Sequence, residues 1–510
     1  MSDALPVAVI GAGPVGLAAA AHLVRRDLAP IVFERGPEAA HAMRAWSHVR
    51  VFSPWRFNVD AAAAALLAET GWRAPDPDGL PTGGEIVARY LDPLAAHPAI
   101  APALRLGATV TAITRKGLDK MTDRGRAEAP FVVRWTDANG VEQTTEAQAV
   151  IDASGTWFAP NPIGIDGLPV AGETALADRI ATGIPDVLGA DRTTYENKRT
   201  LVVGAGHSAM NVVLDLLKLA ERAPSTRIAW AIRRGNLDRI VGGGAADQLP
   251  ARGALGLAAR KAVADGRLEL LAPFAATRLL PTADGIRVDG TLDGRAYTTT
   301  VDRIVTATGF RTDTTMLREL RVALDPAVEA PPALAPLIDP NLHSCGTVRP
   351  HGAAELAHPE PGLYVVGAKS YGRAPTFLMA TGYEQVRSVA AALAGDHAAA
   401  REVHLVLPET GVCSAAPIVG AEADAAACCG PAKTEATRVA EPAASACCGP
   451  AAKEPAIAEA AAPACCGPAV AAPVVEAAGS GCCGPKVAAP EPVAIATAAP
   501  VAKRGCGKAA

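Results

Sequence analysis

Apolar and polar positions along most of the chain fall into a repeating order of short strands, glycine turns and helices. Val7-Ala8-Val9-Ile10 is an apolar run of strand length that leads into Gly11-Ala12-Gly13-Pro14-Val15-Gly16 and a helical stretch over 17–26. A second apolar run, Ile31-Val32-Phe33, follows and ends at Glu34. The order then recurs. Residues 200–203 predict a strand, Gly204-Ala205-Gly206-His207-Ser208-Ala209 a turn, the stretch to Leu219 a helix, and 228–232 a strand that ends in Arg233-Arg234. Residues 150–155 and 304–310 each predict a strand closing in a small-residue turn, and 362–367 predicts a strand before a helix over 376–393.

The glycine turns carry chemistry because of what flanks them. Gly11 permits a tight turn, Gly13 lets backbone approach a diphosphate, Gly16 allows close helix packing, and Pro14 opens a helix whose N-terminus favours negative charge. Glu34 stands 23 positions after Gly11, placed to accept hydrogen bonds from an adenosine ribose. The second turn, with Gly204, Gly206, Ser208 and Ala209, differs at the same point. Its second strand ends in Arg233 and Arg234, which can bind a 2′-phosphate that a carboxylate would repel. NADPH is therefore expected there. A solvated strand end is the alternative reading of the two arginines, whose spacing from Gly204 is longer than that of Glu34 from Gly11. His207 reads as a helix-start residue. Two such sites in one chain imply an electron path from NADPH to FAD.

Composition divides the chain. Half of the residues are hydrophobic but only 4% are aromatic, so small side chains carry much of the apolar fraction. The segment 414–510 holds 35 Ala and 12 Pro, and no aromatic residue follows Tyr383. It lacks bulky groups to bury against the cost of ordering its backbone, and a disordered tail is expected. Nine of the 11 cysteines lie there. The unit CCGP occurs four times, with the pairs Cys428 and Cys429, Cys447 and Cys448, Cys465 and Cys466, and Cys482 and Cys483, and Cys506 comes last. Before Cys413 the only cysteine is Cys345. A net charge of −4 gives no overall basic field, which disfavours nonspecific nucleic-acid binding. No apolar run reaches the roughly 20 residues needed to span a bilayer, and Asp3 replaces the basic start of a secretory signal, so a cytoplasmic protein is expected. Leu407-Pro408-Glu409-Thr410-Gly411 matches a sortase sorting pattern and is read as coincidence.

Residues 1–395 resemble the flavin-containing monooxygenase group of flavoproteins with two dinucleotide-binding domains, a group that also includes thioredoxin-reductase-like enzymes. The resemblance rests on the Gly11 to Gly16 turn with Glu34, the Gly204 to Ala209 turn, Ala153-Ser154-Gly155-Thr156-Trp157, Ala307-Thr308-Gly309-Phe310 and the strand 363–367. It implies an α/β fold of two Rossmann-like domains, the NADPH domain inserted into a discontinuous FAD domain. The implied boundaries are 1–170 and 304–395 for FAD, 171–303 for NADPH, a connector at 396–413 and the tail at 414–510. It also places Arg35, Arg44, Trp46, Gly155 and Gly367 at the FAD. Three departures count. The two cysteines of a thioredoxin-reductase mechanism are missing from the folded part, the group's FxGxxxHxxxY signature is degraded around Gly189, and Ala368 stands where relatives carry an aspartate.

Thiolates select soft ions. A trivalent arsenic centre takes three thiolates, which a vicinal pair and a cysteine from a neighbouring repeat can supply. With the CCGP repeats, the chain resembles flavoproteins encoded with bacterial arsenic-resistance genes. The expected function is an NADPH-dependent FAD oxidoreductase of monooxygenase type, acting on a small-molecule or metalloid substrate in arsenic or metal detoxification. The tail cysteines would bind As(III) or another thiophilic ion. A reductase passing electrons to tail thiols or to a thiol redox partner, and a metal-binding sensor or chaperone, remain alternatives. The flavin carries the chemistry. Arg311 and His351 are the side chains marked as candidate cleft residues, with surface positions the alternative.

Overall fold

The computed structural model describes residues 4–235, 249–342, 350–374 and 377–405. The chain divides into two units, Met1–Glu422 and Ala423–Ala510. The expected tail lies outside the described residues, as do Cys345 and Cys413. With it lies every cysteine expected to ligate an ion: Cys428 and Cys429, Cys447 and Cys448, Cys465 and Cys466, Cys482 and Cys483, and Cys506.

The first sheet grows from strands that are apolar throughout because both of their faces are covered. Strand β1 (Val7–Ile10) is buried at every position, and its alternate residues enter two cores: Val7 and Val9 one, Ala8 and Ile10 the other. Helix Pro14–Val24 starts with proline at its first position, where a missing N–H costs nothing. Its Ala18 to Ala21 run is fully buried, and small side chains there let the helix lie close to helix Met379–Leu393. Strand β2 (Pro30–Glu34) follows. Helix Ala61–Glu69 is capped by Asp60, whose Oδ1 accepts from the Ala63 N–H at 2.9 Å, while Oδ2 lies 3.0 Å from His22 Nε2.

The chain then forms β3 (Leu104–Leu106), an antiparallel meander of β4 (Thr109–Arg115), β5 (Phe131–Thr136) and β6 (Glu142–Ala147), and β7 (Ala149–Asp152), which returns beside β1. The second domain repeats the plan. It contributes β8 (Ile180–Thr182), β9 (Arg199–Val203), helix His207–Arg222, β10 (Arg227–Ala231), helix Pro250–Ala264 and β11 (Glu269–Leu271). A second meander, β12 (Phe274–Thr282), β13 (Gly285–Leu292) and β14 (Arg295–Val301), precedes β15 (Arg303–Thr306), and β16 (Leu363–Val365) completes the first sheet. The two parallel sheets are ordered β16-β7-β1-β2-β3 and β11-β10-β9-β15-β8. This is the expected α/β fold of two Rossmann-like domains.

One boundary moves. Residue 304 was expected to open the second FAD segment, yet Arg303–Thr306 is hydrogen-bonded in parallel to β9 and β8. The return to the first domain therefore comes after β15, because this strand fills the position beside β9 that β7 fills beside β1. The two connecting segments lie antiparallel, with Asn161 N–H donating to Gly309 O at 2.9 Å and Arg311 N–H to Ala159 O at 2.8 Å. Among the described residues no helix is long and apolar enough to cross a membrane.

Candidate functional site

In each parallel sheet the strand order reverses once at the carboxyl ends, between β1 and β7 and between β9 and β15, where open α/β sheets bind ligands. Both glycine turns sit at those points. Gly11 has φ of 99°, and a Cβ there would lie 2.8 Å from Ala153 O. A Cβ at Gly16 would lie 1.9 Å from Gly11 O, so helix and turn approach as closely as glycine allows. Gly13 is different: no atom lies within 4 Å of its Cβ position, so the space it keeps clear is not used by the protein. Gly13 is also the N-cap of helix Pro14–Val24 and makes no side-chain cap. First-turn amides thus face an open cradle without a competing side chain, which fits an anionic diphosphate.

Glu34 is buried at the end of β2. Its Oε2 accepts from Ala12 N–H and its Oε1 from Gly36 N–H, each at 2.9 Å. The carboxylate braces the turn, and each oxygen retains a second acceptor site for a ribose hydroxyl. Two outcomes follow from the glycines. Gly13→Ala is expected to leave the thermal midpoint unchanged while weakening FAD in a titration of the apoprotein. Gly16→Ala is expected to lower stability by about 1–3 kcal/mol through overpacking. A Gly13 variant that binds FAD like the wild type would remove this site from the cradle.

The second turn has the same build. Gly204 has φ of 139°, with a Cβ position 2.3 Å from Ala307 O, and Gly206 is an uncapped N-cap with no atom within 4 Å of its Cβ position. Ser208 and Ala209 belong to the first turn of helix His207–Arg222, and Trp230 Nε1 donates to Gly204 O at 2.8 Å. His207 opens that helix, and Phe52 of the first domain packs on its ring at 5.4 Å. Arg233 and Arg234 lie just past β10. Neither meets a carboxylate among the described residues. Desolvation, and then the like charge of Arg234, hold Arg233 below the usual arginine range. Two adjacent guanidinium groups with no carboxylate partner among the described residues suit a phosphate monoester.

The other residues that the resemblance places at the FAD have these neighbours. The Arg44 guanidinium is met by Glu38 Oε2 at 3.0 Å, by Asp92 and by Ala39 O, so its charge is answered within the protein. Trp46 packs its ring over Gly83, 2.7 Å from that residue's Cβ position. Arg35 lies 4.3 Å over the ring of Phe158, which stacks in turn on His41. Arg311 Nε donates to Asn161 Oδ1 at 2.9 Å and its Nη2 to Gly167 O at 3.0 Å, joining the two connecting segments. His351 is 4% exposed, with Nε2 2.9 Å from Gln385 Nε2, and so is not on the surface. Gln385 Oε1 accepts from Gly367 N–H at 2.7 Å, which places this network behind the turn after β16. Gly155 has φ of 67° and open space at its Cβ position.

Sequence reasoning passed over Asp152, Ser154 and Lys369. Buried Asp152 and Lys369 and half-buried Ser154 cluster beside the first turn, with Lys369 Nζ 2.7 Å from Asp152 Oδ2. The signal was a lysine flanked by small residues, Gly367, Ala368 and Ser370, in the turn after β16. Among the described residues no three His, Cys, Asp or Glu side chains converge as a metal site. The cysteines expected to hold an ion, from Cys428 and Cys429 through Cys447, Cys448, Cys465, Cys466, Cys482 and Cys483 to Cys506, all fall outside those residues.

The geometry agrees with comparisons to known proteins. Solved structures of the same fold include a bacillithiol disulfide reductase from Bacillus cereus, 18% identical, covering 77% of this chain and 99% of its own, with a TM-score of 0.57. A cadaverine monooxygenase from Erwinia amylovora, bound to FAD, is 15% identical over 80% of this chain and 98% of its own, with a TM-score of 0.55. An ornithine N-hydroxylase from Kutzneria sp. 744 is 16% identical over 77% of this chain and 99% of its own, with a TM-score of 0.51. No curated protein matches the chain. The family model for pyridine nucleotide-disulphide oxidoreductases matches residues 5–359, through both turns and every strand of the two parallel sheets except β16. The chain therefore belongs to the pyridine nucleotide-disulphide oxidoreductase family and is an FAD-dependent oxidoreductase.

Proposed function

We propose that the chain is an NADPH-dependent FAD monooxygenase serving arsenic or metal detoxification, whose tail cysteine pairs bind As(III) or another thiophilic ion. One observation carries the monooxygenase reading. The unit holding both dinucleotide cradles has Cys345 and Cys413 as its only cysteines, far apart in sequence, so it lacks the adjacent dithiol on which a disulphide reductase relays electrons. When bound, FAD supplies hydride acceptance from NADPH and electron delivery to oxygen. The protein's own part is positional. The amides after Gly13 and the Glu34 carboxylate receive the diphosphate and ribose of FAD. The amides after Gly206, with Arg233 and Arg234, receive the diphosphate and 2′-phosphate of NADPH.

The four CCGP pairs support the metalloid role, since vicinal thiolates in a chain without zinc-ligand spacing favour a soft ion. The same pairs favour a second reading, in which electrons pass to tail thiols as a dithiol and a vicinal disulfide interconvert. A single experiment separates the two. NADPH oxidation is followed under air and under argon, with and without arsenite, for the full chain and for a full chain with the CCGP cysteines replaced by serine. The proposal expects turnover under air in both proteins, no sustained turnover under argon, and arsenite binding lost from the serine variant. Sustained turnover under argon that requires the cysteines would sink the monooxygenase reading. Equal arsenite stoichiometry in the two proteins would sink the metalloid role.

A further inference from the structure

A buried ammonium beside the first glycine turn retains hydrogen-bonding capacity that the protein does not use. Lys369 lies in the turn Gly367–Tyr371 after β16 and is 3% exposed. Its Nζ donates to Ser154 Oγ at 3.0 Å and lies 2.7 Å from Asp152 Oδ2. Asp152 is fully buried, and its Oδ1 already accepts from the Ser154 backbone N–H at 3.1 Å and hydroxyl at 2.6 Å. The contact to Oδ2 is an ion pair without hydrogen-bond alignment. An ammonium carries three donors. Among the described residues, the Ser154 oxygen alone takes one of them in hydrogen-bond geometry. Buried donors are hydrogen-bonded as a rule, so spare donors at this depth point to an acceptor on a ligand.

Position indicates which ligand. The Cα of Ser154 lies 3.0 Å from the Cβ position of Gly11, and the Cβ position of Gly367 lies 3.5 Å from Cγ2 of Val15, on the first turn of helix Pro14–Val24. The segments carrying the cluster, one leaving β7 and one leaving β16, therefore both border the first cradle. A second buried charge cluster, Arg115 with Glu360 and Arg126, lends no such capacity, because protein groups take up both of its carboxylate oxygens.

We propose that Lys369 is a cofactor-binding residue that donates to an anionic oxygen of FAD, with Asp152 and Ser154 fixing its ammonium. This rests on the assignment of FAD to the first turn. Two parts of the cofactor share the required chemistry: the diphosphate, anionic in every redox state, and the flavin ring, which gains negative charge on reduction.

The test is a titration of the apoprotein with FAD, oxidised and reduced, for the wild type, Lys369→Met, Lys369→Arg and the double variant Asp152→Asn with Lys369→Met. Thermal midpoints are recorded without cofactor. Lys369→Met is expected to weaken FAD roughly ten- to a hundredfold, the scale of a lost hydrogen bond to a charged group. Lys369→Arg should retain part of the affinity. The double variant should regain stability, since no lone charge stays buried, without regaining affinity. Equal weakening in both redox states assigns the contact to the diphosphate, and weakening confined to reduced FAD assigns it to the ring. Affinity within about twofold of the wild type in Lys369→Met, or restored in the double variant, would overturn the proposal. A wild-type chain that bound no FAD would remove the cofactor assignment itself.

Discussion

Glu360→Ala is expected to lower folding stability by about 3–5 kcal/mol, because it leaves two guanidinium groups buried without their counter-charge. Arg115 Nε lies 2.8 Å from Glu360 Oε1 and Arg126 Nη2 lies 2.6 Å from Oε2, with all three side chains almost wholly buried. Arg321 N–H adds a third donor at 2.9 Å, and Arg115 also packs 3.7 Å over the ring of Phe131. Arg115 and Arg126 belong to the stretch around the first meander, whereas Glu360 directly precedes β16, so the cluster ties the two halves of the discontinuous domain together. Urea denaturation would show the loss as a lower midpoint, and a midpoint unchanged from wild type would mean that water reaches the arginines. The pH dependence has a definite sign. Burial on its own raises the Glu360 carboxyl, but hydrogen bonds from Arg126, Arg321 and Arg115 outweigh it and hold the group below the usual range. The folded value thus lies below the unfolded one of about 4.3, so the stabilisation is complete above that pH and is lost as pH falls through the folded value. Glu360→Gln should flatten the acid limb of the stability curve.

The parts of the fold that could be read in the sequence are those set by short-range rules. Strands β1, β9, β7, β15 and β16 are apolar runs because they lie inside covered parallel sheets, and the glycine turns follow them directly. The two meanders were not anticipated. A strand such as β6, Glu142–Ala147, is exposed along half its length and carries no apolar run to mark it. The domain boundary at 304 was misplaced for a related reason: Ile304 to Thr306 reads as a strand in any sheet, and only pairing with β9 decides which one. At the sites, glycine positions were legible because a Cβ would collide at 1.9 Å or fill a cradle, both consequences of spacing. Ion partners were not. Arg44 meets Asp92 across 48 residues, Glu360 meets Arg115 across 245, and Lys369 meets Ser154 across 215, distances over which no local pattern operates.

Replacing Arg233 and Arg234 together by alanine is expected to weaken NADPH far more than NADH. The two cofactors differ by one phosphate monoester. Each hydrogen bond between a guanidinium and that phosphate contributes about 1.5–3 kcal/mol, so each arginine lost should lower NADPH affinity on the order of ten- to a hundredfold. Arg233 and Arg234 have no carboxylate partner among the described residues, so the substitution strands no counter-charge among them. Lysine at both positions should recover only part of the preference, since an ammonium gives a point charge in place of a two-pronged donor. The preference should also shrink as salt rises, because Arg233 and Arg234 sit at the solvent-facing end of β10, where ions screen them. Equilibrium titration of the oxidised holoenzyme with NADP⁺ and NAD⁺ separates this contact from hydride transfer. If both nucleotides weaken by the same factor, the arginines serve the diphosphate or the fold. If neither weakens, they are a solvated strand end, and the second cradle selects its cofactor by other means.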